Sequence, residues 1–189
     1  MTALGSTATA HQLQITIEGI EPLVWRRVLV PSTMTLARLH KVIQELFGWW
    51  DYHLHEFEID GRRYGTDDGE DWEPPLDERR AKLAAVTAKG TSLLYVYDFG
   101  DNWRHRIEVE DIVALDPTAT YPRCIGGERS RPPEDVGGVG GYADFLDAIS
   151  DPHHAEHDQC LLWVGGSYDP AACDLLDINA RLTPARRPR

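Results

Sequence analysis

Cysteine is scarce, and the three present (Cys124, Cys160 and Cys173) form no Cys-x-x-Cys pair. That odd, scattered set argues against a disulfide scaffold and a standard zinc ribbon, and makes a reducing cytoplasm the expected compartment. Positive charge is also short: 19 Lys and Arg stand against 31 Asp and Glu, a net charge of −12. A general phosphate-backbone binder needs clustered cations, so nucleic acid is expected at most weakly, through Arg186, Arg187 and Arg189 of the C-terminal tail. No apolar run approaches the roughly 18 residues of a membrane helix. Met1 to Ala10 lacks the basic start and apolar middle of a signal peptide. A phosphate loop, a nucleophile elbow and a dinucleotide fingerprint are missing as well. The glycines between Gly137 and Gly141 follow no strand and read as a turn before a helix. What is present is a chain of 189 residues, 42% hydrophobic, long enough to bury one core without staples.

The patterning divides this chain into short elements. From His11 to Glu18, Leu13, Ile15 and Ile17 alternate with polar residues, as in a half-buried strand. Val24 to Val30 predicts a second strand, ended by Pro31. Thr35 then caps a helix whose stripe is Leu36, Leu39, Ile43, Leu46 and Phe47, with His40 on the same face and Gly48 as its stop. Asp60-Gly61 predicts a two-residue hairpin turn. Its register sets Glu58 opposite Arg63 as an ion pair and Phe57 opposite Tyr64. Thr66 to Glu78, with seven carboxylates and two prolines, reads as a solvated loop, followed by a short helix near 79–88. Leu93 to Phe99 and Trp103 to Val109 predict a second hairpin around Gly100, with Trp103, His105, Ile107 and Val109 on one face. Tyr121 to Gly141 reads mostly as loop. Helices are expected at Tyr142 to Ile149, from an Asp151-Pro152 start through Trp163, and over Ala171 to Leu182. Residues 1–10 and the basic 183–189 are expected to be flexible tails around a domain at 11–182. No internal repeat is present.

Several stretches then resemble a known family. They are Ile20-Glu-Pro-Leu-Val-Trp-Arg-Arg-Val28, Thr35-Leu-Ala-Arg-Leu-His-Lys-Val-Ile-Gln44 with Phe47-Gly-Trp49, His53-Leu-His-Glu-Phe57, and Tyr95-Val-Tyr-Asp-Phe-Gly-Asp-Asn-Trp-Arg-His105. Tyr121-Pro-Arg-Cys124, Pro132-Pro-Glu-Asp-Val-Gly-Gly138 and Tyr168-Asp-Pro170 continue them. In order and spacing these resemble the plasmid pRiA4b ORF-3-like family, some of whose members are labelled passenger TnpR proteins of an insertion element. The resemblance spans residues 11–182. It implies one α+β domain, a bacterial mobile-element setting and no established activity. Family members often carry a cysteine where this chain has Arg131, so a pair between that position and Cys124 is not available here.

Four constellations carry potential chemistry. His53 and His55 share one face of a strand, and Asp98, Asp101 and His105 lie on the second hairpin; if the hairpins are neighbours, the five would suit a divalent zinc or manganese ion. Equally, the histidines would pack beside Trp49, Trp103 and Phe57 and hydrogen-bond the aspartates, which also shape a turn. Trp25-Arg26-Arg27 suits an anion, or else surface ion pairing. Glu134 and Asp135, in a long loop, suit acid/base or cation-binding work, or the capping of a helix. His153, His154 and His157 offer ligand spacing on a helix, or a solvated face without the glutamate of a zincin motif.

The reading that follows is a single α+β domain: a largely antiparallel sheet of about five or six strands crossed by one N-terminal helix, with a C-terminal helical segment. The expected role is a non-enzymatic binding or accessory module for a protein or small-molecule ligand. Its groove would be lined by Trp25, Arg27, His53, His55, Asp98, Trp103 and His105, with Glu134 and Asp135 as further candidates. The alternatives are a metal-dependent hydrolase or nuclease using the His/Asp cluster, and weak DNA association through the tail.

Overall fold

The computed structural model describes residues 8–67, 69 and 72–183. Arg186, Arg187 and Arg189 lie outside the described residues. Strands β1 (Thr9–Ile17) and β2 (Trp25–Pro31) form a hairpin, followed by helix α1 (Leu36–Phe47). Then come β3 (His55–Ile59), β4 (Arg62–Gly65), the short β5 (Leu76–Asp77) and the single-turn α2 (Leu83–Val86). The rest is β6 (Ser92–Tyr97), β7 (Trp103–Ala114), β8 (Arg123–Glu128), α3 (Gly138–Ser150), α4 (His157–Trp163) and α5 (Leu175–Leu182). All eight strands join one sheet in the order β5-β4-β3-β6-β7-β1-β2-β8. Every pairing is antiparallel except β4 with β5. The architecture is therefore α+β and mostly antiparallel, with more strands than the expected five or six. No helix among the described residues is long and apolar enough to cross a membrane.

One sheet face and one helix stripe make the core. Leu13, Ile15 and Ile17 of β1, Val28 and Val30 of β2, and Ile107 and Val109 of β7 are buried together with Leu36, Leu39, Ile43, Leu46 and Phe47 of α1. The strand period of two sends their neighbours to the opposite face. Helix α1 starts and stops where its end signals place it. Thr35 accepts from the Arg38 N–H at 3.3 Å, and Gly48 turns left-handed at φ 63°. The Asp60-Gly61 turn sets the expected register, Glu58 opposite Arg63 and Phe57 opposite Tyr64. The ion pair differs, since the Arg63 guanidinium reaches the diagonal Glu56 at 2.6 Å.

Other differences have local causes. β1 begins at Thr9, and Ala10 is fully buried, because β7 runs on to Ala114 and pairs with it. β8 lies inside the segment read as loop, hidden by Gly126 and Gly127. A Cβ on Gly127 would come within 2.8 Å of Arg26 and 3.0 Å of both the Cys173 sulfur and the Trp25 carbonyl, so the strand forms there only with glycine. The helix expected at 79–88 shrinks to α2, and α3 begins at Gly138 rather than Tyr142. Asp151 sits at the C-terminal end of α3 rather than opening α4, which starts six residues later at His157. α5 starts at Leu175, where Asp174 caps the Leu176 and Asp177 N–H groups.

The outer edge of β8 is closed by a side chain. Asn179 of α5 accepts from the Cys124 N–H and donates to the Cys124 carbonyl, both at 2.9 Å, imitating a further strand. Asn179→Ala leaves both backbone groups unpaired at a partly buried edge. A loss of about 2 kcal/mol is expected in urea unfolding, and a change within error would refute the role.

Candidate functional site

Three segments meet beside the β3–β6 junction: residues 48–55 after α1, the β6–β7 turn at 98–102, and the loop at 129–137. β3 does pair with β6, so the two hairpins are neighbours. Beneath them lies an aromatic floor. The Trp49 ring packs against Phe47, Tyr97, Trp103 and His105 at centroid distances of 5.2–5.9 Å. The Trp49 indole N–H donates to the Pro132 carbonyl at 3.1 Å, which begins to fasten the loop. Glu134 completes the fastening: one carboxylate oxygen accepts from the Tyr97 hydroxyl at 2.8 Å, the other from the Trp50 N–H at 2.9 Å. Burial, then this bond to Glu134, raises the Tyr97 pKa well above the usual phenol value. Asp101 accepts from the Gly137 N–H at 3.1 Å. A Cβ on the next residue, Gly138, would sit 2.5 Å from the Asp101 carbonyl oxygen, so this close approach requires glycine.

The expected metal set does not assemble as a whole. His53 and Asp98 come together, with Nε2 3.6 Å from the Asp98 Oδ2, and the third member is Asp135, 2.9 Å from the same nitrogen. These three are the one group of at least three His, Cys, Asp or Glu among the described residues with metal-holding geometry. His55 instead faces Glu78 at 2.9 Å and stacks face to face on His40, with ring centroids 3.4 Å apart. Asp101 serves the loop, as above. His105 is fully buried in the aromatic floor, its Nδ1 3.0 Å from the Trp103 carbonyl, and burial lowers its pKa to about 4. Trp103 is buried beside it.

Trp25 and Arg27 lie elsewhere. β2 alternation sends Arg26 into the core, while Arg27 projects from the opposite face and pairs with Glu110 at 2.6 Å, its guanidinium 5.0 Å from the Trp25 ring centroid. The groove drawn between the hairpins therefore excludes both. His153 precedes α4 and His157 starts it, so the two do not share a helical face. His157 pairs instead with the neighbouring Asp158 at 2.9 Å.

Two clefts flank the His53 cluster, each of about 390 Å³. The first is lined by Trp50, Ser130, Arg131, Pro133, Glu134, Asp135, Trp163, Val164 and Tyr168. Trp50 and Trp163 are 62% and 51% exposed there. Tyr168 donates to the Arg131 carbonyl at 2.8 Å, holding the far wall. Burial lowers the Arg131 pKa, with nearby Glu134 opposing. The second cleft contains the stacked imidazoles. His40 Nε2 lies 2.6 Å from Asp51 and Nδ1 2.8 Å from the Tyr95 hydroxyl, which also accepts from Gln44. Desolvation, then the neighbouring His55, pushes the His40 pKa down to about 4 despite Asp51. Burial raises the Asp51 carboxyl, but hydrogen bonds from Lys41 and His40 outweigh it and the net shift is downward.

Sequence reasoning placed His40 on the helix stripe without a partner, and missed Asp51, Glu78, Trp50, Arg131, Trp163 and Tyr168. A histidine on an otherwise apolar helix face was the available signal, because a buried imidazole needs hydrogen-bond partners. The others come from separate segments; Tyr168 and Arg131 stand at positions of the family resemblance, but nothing local says which cleft they line.

Comparison with known proteins places this geometry in a family. A solved structure from Methanosarcina mazei Go1, described as protein of unknown function MM3350, superposes with a TM-score of 0.84 at 38% identity, covering 91% of this chain and 97% of that one. The uncharacterized protein y4hQ of Sinorhizobium fredii is 41% identical over 175 residues, 91% of this chain and 90% of its own. Residues 9–177 match the family model described as plasmid pRiA4b ORF-3-like protein. The chain belongs to the plasmid pRiA4b ORF-3-like protein family.

Proposed function

We propose that this protein is a non-enzymatic binding module whose first cleft takes a ring-bearing small molecule or peptide side chain. The carrying observation is the pair of exposed indoles, Trp50 and Trp163, lining one cleft of about 390 Å³ with Ser130, Arg131 and Asp135. A concave site of this size, with aromatic walls and a few polar groups, is the usual form of a ligand pocket. Exposed indoles offer flat faces worth about 0.5–1.5 kcal/mol each to a stacked ring. The module reading draws further support from how the acids and bases are employed. Both Glu134 oxygens, both His40 nitrogens and the Asp101 carboxylate hold neighbouring segments together. A plasmid setting is supported by the family's description, and a reducing cytoplasm by the three free cysteines.

Phenol is the test probe and cyclohexanol its non-aromatic control. Phenol is expected to shift the Trp50 and Trp163 indole N–H signals saturably by NMR, more tightly than cyclohexanol. Trp50→Ala and Trp163→Ala, both at exposed positions, are each expected to weaken phenol binding about threefold to tenfold. Equal response to the two alcohols, or binding untouched by both variants, would remove the reading.

A further inference from the structure

We propose that His53, Asp98 and Asp135 bind a divalent transition metal ion, zinc or manganese, between the two clefts. Metal–ligand bonds of about 2.0–2.2 Å place tetrahedral donor atoms roughly 3.3–3.6 Å apart, and octahedral neighbours closer to 3 Å. The His53 Nε2 lies 2.9 Å from the Asp135 Oδ1 and 3.6 Å from the Asp98 Oδ2, and all three donor atoms fall within 4.8 Å of one another. An imidazole nitrogen with two carboxylates suits zinc or manganese better than a thiol-seeking or an all-oxygen ion.

The surroundings supply what a metal site needs beyond its ligands. Asp98 is held through Oδ1, which accepts from the Gly100 and Asp101 N–H groups at 3.0 and 3.3 Å, leaving Oδ2 toward His53. Such outer bonds fix a ligand's orientation before the ion arrives. The three ligand-bearing segments are joined without using the ligands themselves: Glu134 ties 134–135 to Trp50 and Tyr97, and Asp101 ties the turn to Gly137. Preassembly of this kind lowers the ordering cost of binding.

Three protein ligands leave coordination positions open, the arrangement of a site that also receives water or an exogenous ligand. The open side faces solvent, since the Asp135 side chain is 60% exposed and that of His53 32% exposed. Asp135 lines the first cleft and His53 the second, so an ion here would contact whatever occupies either. The inference stands apart from the ring-binding reading, because its test uses metal alone.

The experiment is calorimetric titration of the untagged full-length chain, stripped of metal, with zinc chloride and then manganese chloride. One equivalent is expected to bind. Asp135→Asn, at an exposed position, is expected to weaken binding at least about tenfold, as is His53→Ala. The triple variant His153→Ala, His154→Ala, His157→Ala is expected to bind as the parent does. Manganese should broaden the His53 ring signals in proton NMR before those of His153 and His154. Absence of stoichiometric binding by either metal overturns the proposal. So does affinity unchanged in Asp135→Asn, or affinity lost only in the triple variant.

Discussion

Between pH 6.5 and pH 4 the protein is expected to lose about 5 kcal/mol of stability through His40 and His105, which together take up close to two protons on unfolding. Buried His11, whose pKa desolvation also lowers, adds to both. His40 and His105 are buried, and desolvation puts both pKa values near 4, against 6.5 for a free imidazole. In this window the unfolded chain binds protons that the folded chain refuses. Stability is therefore full well above pH 6.5, falls as the pH drops toward 4, and His40 and His105 each account for about 2.5 kcal/mol. The loss is comparable with the whole stability of an ordinary domain, roughly 5–15 kcal/mol. Asp51 and Glu110, whose carboxyls are held below their usual values, extend the decline below pH 4. Urea unfolding at a series of pH values reads the proton uptake directly. His105→Gln is expected to reduce it by about one proton. A flat profile between pH 6.5 and 5 would mean that neither imidazole is held neutral by burial.

Arg26→Ala is expected to cost about 3–5 kcal/mol, more than Asn179→Ala, because it leaves buried acceptors without a donor. The side chain is 3% exposed, and its guanidinium lies 5.3 Å from the Phe47 ring centroid. It donates to the carbonyls of Trp25, Glu128 and Arg129 at 2.7–2.9 Å. Removing it strands three acceptors and unties the point where β8 passes into the 129–137 loop. Arg26→Met refills the volume but not the hydrogen bonds, so about half of the loss should remain. Because the same loop carries Arg131, Glu134 and Asp135, zinc affinity should fall in Arg26→Ala while the fold persists in stabilising salt. Denaturation midpoints for the two variants settle the order. A loss below about 1 kcal/mol for Arg26→Ala would show that solvent or a shifted loop satisfies those carbonyls.

These two effects rest on residues that the sequence alone treats very differently. His105 alternates with Trp103, Ile107 and Val109, so its place on a buried face is legible from the strand period. Its removal from any metal set is not, because a period of two gives the face but not what packs on it. Arg26, with Trp25 and Arg27, suits from the sequence an anion site or surface ion pairing. The same alternation separates them, sending Arg26 inward and its neighbours outward. The inward position is tolerable only because carbonyls from β8 and the following loop, more than a hundred residues away, meet the guanidinium.

Local chemistry determined a good deal. The Thr35 cap and Gly48 stop bound α1, Asp60-Gly61 sets the β3–β4 register, and the β6–β7 hairpin follows from alternation. Each depends on contacts within a few residues, and the energies of capping and turn geometry are largely intrinsic to those residues. The family is legible for the same reason, since its motifs are short and contiguous. Tertiary structure alone decided that β8 exists, that Asp135 rather than His55, Asp101 or His105 joins His53 and Asp98, and that Trp50 and Trp163 share a cleft. These depend on long-range closure, in which Asp135 approaches His53 across 82 positions of sequence. No local propensity encodes such a meeting. It arises when Glu134, Asp101 and Trp49 bind the loop to an aromatic floor that is itself complete only in the packed sheet.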